Sequence, residues 1–120
     1  MKKDDRVYIW DMVSACRKIQ QYLDGKTVAQ METNGMLFDA VIRQFEILGE
    51  AANNVSVPMR EQLKNIPWRK VVDMRNVLIH QYAGIQISRV WETAQHDIPV
   101  LLQDLLPPYE QIQRDISSDA

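Results

Sequence analysis

Residues 36–55 read MLFDAVIRQFEILGEAANNV, and the spacing inside this stretch decides the fold class. Val41, Phe45, Leu48, Ala52 and Val55 recur at steps of three and four, so they form one stripe of an amphipathic helix. Met36 to Val55 is therefore expected to be the longest and clearest helix of the chain. Gly49, Ala51 and Ala52 are small residues in its middle. A mid-helix glycine costs helix propensity, and its presence suggests that another backbone approaches closely there.

Toward the N-terminus, Ile9, Val13, Cys16, Ile19 and Leu23 repeat the same period, which predicts a helix from Val7 to Leu23 closed by Asp24-Gly25. The polar stretch Gly25 to Gly35 leaves room for a short turn of helix. Toward the C-terminus, Pro58 suits the first turn of a short helix running to about Asn65, because that position needs no amide donor. Pro67 restarts the chain. A helix from about Trp68 to about His80 follows, with Val71, Val72, Leu78 and Ile79 on its buried side and Ala83-Gly84 as its stop. A last helix, N-capped by Ser88, carries Val90, Trp91, Ala94, Ile98, Leu101, Leu102 and Leu105. It is expected to kink at Pro99 and to end at Pro107-Pro108.

No segment reads as a strand, since Asn34-Gly35 is flanked by helical patterns and alternating β-branched runs are missing. The expected architecture is all-α, an up-and-down helical bundle. It would occupy residues 1–110, with 111–120 as a polar C-terminal tail prone to fray.

The chain has 46% hydrophobic and 25% charged residues, the balance of one compact domain. It carries no apolar run long enough to cross a bilayer, and Met1-Lys2-Lys3-Asp4-Asp5-Arg6 leads into an amphipathic pattern, so a cytoplasmic protein with no membrane association is expected. The single cysteine, Cys16, lies among apolar residues at helical spacing and reads as a packed, reduced thiol. The formal charge of −2 is unevenly spread. Between Arg60 and Tyr82, Arg60, Lys64, Arg69, Lys70 and Arg75 face only Glu61 and Asp73, a local excess of +3 that leaves −5 elsewhere. Such a stretch is either a footprint for a polyanion or a solvated helix face.

The usual catalytic signatures are missing: no glycine-rich phosphate loop, no His-Glu-x-x-His, no paired cysteines and no Gly-x-Ser-x-Gly. With only His80 and His96, a metal centre would need carboxylates, and the pair Glu46 and Glu50 is more simply a solvated face. No metal and no cofactor are expected. What remains is Arg75, Asn76, His80 and Tyr82, four functional groups within eight residues near a helix end. Arginine presents a rigid cationic fork to phosphate oxygens, and histidine moves protons near neutral pH. The helix C-terminal dipole favours charged His80, while Arg75 nearby disfavours it. Residues 76 and 80 share a helix face, whereas 75 and 80 lie about 140° apart, so Arg75 must reach around or the helix must loosen. The purely structural alternatives are an Arg75 ion pair with a neighbouring helix, a capping His80 and a packed Tyr82 ring.

Arg75-(four residues)-His80-Gln81-Tyr82 resembles the Arg-x4–6-His-x-Tyr motif of HepT-type HEPN ribonuclease toxins. Phe38-Asp39-Ala40-Val41-Ile42-Arg43 with Ile47-Leu48-Gly49-Glu50-Ala51-Ala52 is similar to that family's second helix block. Ile66-Pro67-Trp68-Arg69, Met74-Arg75-Asn76, Val90-Trp91 and Asp97-Ile98-Pro99 resemble its later blocks in order, so the likeness covers about residues 7 to 106. Leu48 stands where isoleucine is common, and the four-residue gap is at the short end of the motif's range. The resemblance implies a homodimeric, metal-independent RNase with RNA as substrate, Arg75 and His80 as catalytic residues and Asn76 in support. It further implies a partner, an MntA-type minimal nucleotidyltransferase antitoxin that attaches AMP to the motif tyrosine, here Tyr82. The alternative is a non-catalytic HEPN module that binds RNA, nucleotide or a nucleotidyltransferase.

Overall fold

The computed structural model describes residues 4–80 and 87–119, and the side chains of all of these except 76–80 and 119. Among them the chain forms seven α-helices and no strand: α1 (Asp5–Leu23), α2 (Val28–Thr33), α3 (Gly35–Asn54), α4 (Val57–Gln62), α5 (Trp68–His80), α6 (Ile87–Glu92) and α7 (Ile98–Asp119). The all-α architecture expected from the periodicity, HEPN-like as the resemblance implies, is the one observed. None of the described helices is long and apolar enough to cross a membrane.

Local chemistry sets most of the boundaries. Asp4 caps α1 by accepting from the Arg6 amide, and Arg6 in turn holds the Asp4 carboxyl below its ordinary range. Gly25, at φ +71°, makes the left-handed turn that follows α1, a conformation in which a side chain is strained. The short turn of helix anticipated before Gly35 is α2, closed at its start by a reciprocal capping box between Thr27 and Gln30. Asn34 ends α2 and caps α3 through the Leu37 amide. Ser56 caps α4, which stops at Gln62, short of the expected Asn65. Ser56 also donates to the Asp5 carboxylate through its amide, tying the start of α4 to the start of α1.

The core follows from the stripes. α3 packs on α1 and on α5, and α1 packs on α7, so the long helices lie in the order α5, α3, α1, α7. The central helix accordingly buries more than one stripe, with Val41, Ile42, Phe45, Leu48, Gly49, Ala51 and Ala52 all inside. Ile9, Met12, Val13, Cys16 and Ile19 of α1 and Ile98, Leu101 and Leu105 of α7 complete the core.

The C-terminal third departs from the sequence expectation in three ways. First, Ser88 lies inside α6 and not at its cap. Second, the helix is not regular up to Pro99: the turn before it, Thr93–Asp97, is π-helical, and the Ile98 amide reaches back to the Thr93 carbonyl. Proline lacks an amide and crowds the carbonyl four residues before it, and a widened turn there relieves both. Third, the helix does not end at Pro107-Pro108, nor does the chain beyond Tyr109 leave the helix: α7 runs through both prolines to Asp119. Two interior prolines oppose this at about 3 kcal/mol each. The apolar stripe of Ile98, Leu101 and Leu105 continues in register to Ile112, which is buried beside Val7 and Trp10 of α1. Leu106 and Tyr109 also pack on the core, and Arg17 of α1 stacks over the Tyr109 ring at 5.2 Å. At roughly 2 kcal/mol for each large apolar side chain buried, this contact offsets the prolines.

Candidate active site

Helix α5 carries three of the four candidate residues. Its start is fixed by the turn at Pro67, whose carbonyl accepts from the Val71 amide, and by Trp68, whose indole N–H donates to the Leu63 carbonyl at 3.0 Å. Lys70 pairs with Asp97 of the π turn at 3.5 Å, bracing the outer side. Trp68 and Val71 are buried against the bundle, and the next position on the same stripe is Arg75. An arginine thus stands, half-buried, where the periodicity calls for another apolar residue.

The backbone stays α-helical to His80, so the helix does not loosen between the candidates. Asn76 and His80 occupy one face by their spacing, and Arg75 and His80 lie about 140° apart around the axis. Tyr82 lies outside the described residues, as does the expected stop at Ala83-Gly84. His96 is remote in role: it sits exposed on the π turn, 3.0 Å from Glu92.

What makes room for Arg75 is on α3. A Cβ built on Gly49 would stand 2.3 Å from Arg75 Cβ, 3.3 Å from its Cγ and 3.4 Å from its Cα. The close backbone approach suspected from the small residues of α3 therefore occurs, and it occurs at Arg75. Sequence reading flagged Gly49 without linking it to the site, because nothing in a linear pattern says which helix comes near.

The basic stretch divides in a way the sequence did not reveal. Arg60 donates from Nε to the Val55 carbonyl at 3.1 Å and from Nη2 to the carbonyls of Ala52 and Asn53 at 2.9 and 3.0 Å. Its guanidinium also stacks on Trp68 at 5.7 Å. Arg60 is thus committed to the C-terminal end of α3, where unsatisfied carbonyls concentrate negative potential. Lys64 and Arg69 are exposed. On α3, Glu46 pairs with Arg43 at 3.3 Å, and no group of three His, Cys, Asp or Glu suited to a metal ion occurs among the described residues.

The family model described as "Ribonuclease HepT-like" matches residues 12–106, which include Gly49, all of α5 and the full motif. The chain belongs to the HepT-like family of HEPN ribonucleases. Among its relatives, "Gamma-glutamylcyclotransferase and putative RNase MJ0434" of Methanocaldococcus jannaschii is 35% identical, matching 95% of this chain and 51% of that longer protein. "Putative RNase MJ1380" of the same organism is 30% identical over 87% of this chain and 95% of its own length. "Probable ribonuclease HepT" of Thermococcus cleftensis is 33% identical over 84% and 92%. No solved structure gives a significant match. A guanidinium can bind phosphate oxygens and an imidazole can move protons, and positions 75 and 80 of α5 supply one of each.

Proposed function

We propose that this HepT-like chain is the toxin of a toxin–antitoxin pair, a homodimeric endoribonuclease that needs no metal. The observation that carries the reading is the Arg75-x4-His80-x-Tyr82 motif in the sequence, inside the span matched by the family. RNA supplies its own nucleophile. The ribose 2′-hydroxyl attacks the adjacent phosphorus, its proton passes to a base, the bond to the 5′-oxygen breaks, and that oxygen takes a proton from an acid. The product ends are a 2′,3′-cyclic phosphate and a 5′-hydroxyl. Arg75 stabilises the charge that builds on the non-bridging oxygens, and His80 carries the proton. Asn76, on the His80 face, orients the substrate. One protomer holds a single set of these groups, and a two-fold dimer brings a second set to the same cleft, which fills acid and base roles together.

Control is assigned to Tyr82. A minimal nucleotidyltransferase antitoxin joins its phenolic oxygen to the α-phosphorus of ATP, releasing pyrophosphate. The attached AMP fills the RNA entry and offers Arg75 a competing anion.

The test is cleavage of RNA by purified protein with and without chelator, followed by analysis of the product ends. Chelator-resistant cleavage to cyclic phosphate ends is expected, with DNA untouched. RNA binding without cleavage would instead favour the non-catalytic HEPN module.

A further inference from the structure

On the reading of Arg75 as a catalytic residue, we propose that Gly49 is a positioning residue for it: the missing side chain on α3 sets where α5 presents Arg75. The contact is backbone-level. At 2.3 Å from a hypothetical Gly49 Cβ, Arg75 Cβ cannot be moved aside by changing rotamer, because Cβ is fixed by the helix itself. Gly49 is buried and Arg75 half-buried, so the contact lies inside the packed seam between α3 and α5. An alanine at position 49 must push α5 outward by about 1 Å to reach ordinary carbon–carbon contact. Helix α5 moves as a unit over its last turns, so the displacement carries the positions of Asn76 and His80 with it. Buried Ala51 and Ala52 keep their methyl groups a turn or less away, so the demand for a glycine is local to the Arg75 contact.

Local propensity runs the other way, since alanine is the better helix former. A purely structural glycine and a positioning glycine therefore make different predictions. Misplacing a catalytic group by an ångström costs roughly 100-fold in rate while leaving distant binding contacts in place.

The experiment combines single-turnover RNA cleavage with thermal unfolding for Gly49→Ala, Arg75→Gly, Arg75→Ala and the Gly49→Ala/Arg75→Gly double variant. Expected for Gly49→Ala is a kcat about 100-fold down with KM little changed. Its melting temperature falls in the wild-type background, and this loss disappears in the Arg75→Gly background, where no Cβ stands at position 75. Should Gly49→Ala fail to fold, recovery of folding in the double variant supports the contact and continued failure overturns it. Wild-type kcat in Gly49→Ala, with Arg75→Ala inactive, would overturn the positioning role alone. An equal melting penalty in both backgrounds would overturn the contact itself, and the positioning role with it. Full activity in Arg75→Ala would remove the catalytic reading itself, and the positioning role with it.

Discussion

Arg75 follows Trp68 and Val71 on the buried stripe of α5, and under the proposed function its guanidinium stabilises the phosphodiester transition state. Arg75→Ala should lower kcat by roughly 100- to 1,000-fold, as loss of a transition-state charge donor does. His80→Ala should cost about 100- to 10,000-fold, the range for a general acid or base. Circular dichroism should show both variants folded; a variant cleaving RNA at the wild-type rate would exclude its residue from catalysis. Cys16 has a different physical signature. Burial pushes its thiol from the ordinary 9.0 up to about 12. A raised folded-state value means that the contribution to stability is complete below pH 9.0 and is lost as pH rises from there toward about 12. Urea midpoints measured across that range should fall more steeply for the wild type than for Cys16→Ala; parallel slopes would show that Cys16 is not the group responsible.

Arg60 and Ile112 show how single side chains hold elements to one another. Arg60→Ala removes three charge-assisted bonds to the last carbonyls of α3 and the stack on Trp68, so it should cost about 2 kcal/mol. Because its guanidinium is committed to α3, the salt dependence of RNA binding should stay as in the wild type. A change in that slope, read from binding titrations at several ionic strengths, would put Arg60 in contact with RNA. Ile112→Ala should cost roughly 2 kcal/mol or more in urea unfolding, since the side chain is buried in the last third of α7. An unchanged midpoint would mean that the helix beyond Pro108 contributes nothing to the fold.

The proposed dimer and its control belong to the scale of the whole molecule. If two sets of Arg75 and His80 form one cleft, activity per chain should fall on dilution in step with dissociation followed by sedimentation; a fully active monomer would rule the shared cleft out. Coexpression with the cognate nucleotidyltransferase should add one AMP, and Tyr82→Phe should abolish both the added mass and the neutralisation. Mass spectrometry that finds the AMP on Tyr8, Tyr22 or Tyr109 of Tyr82→Phe protein, with toxicity still silenced, would move the control site elsewhere.

Periodicity alone determined that the chain is helical and where α1, α3 and α5 lie, because burying one stripe of an amphipathic helix requires a three- and four-residue repeat however the helices are arranged. The small residues in mid-helix marked Gly49 as a point of close approach, and the order of residues placed Arg75, Asn76 and His80 near a helix end. Only the tertiary structure decided the rest. Proline chemistry by itself says that a helix stops at Pro107-Pro108; packing of Leu105, Tyr109 and Ile112 against the α1 side of the core carries it to Asp119. Charge counting by itself leaves Arg60 either in a basic footprint or on a solvated face, whereas the carbonyls at the end of the preceding helix claim it. That Gly49 faces Arg75 depends on how α3 and α5 lie against one another, and local periodicity carries no information about which helices become neighbours.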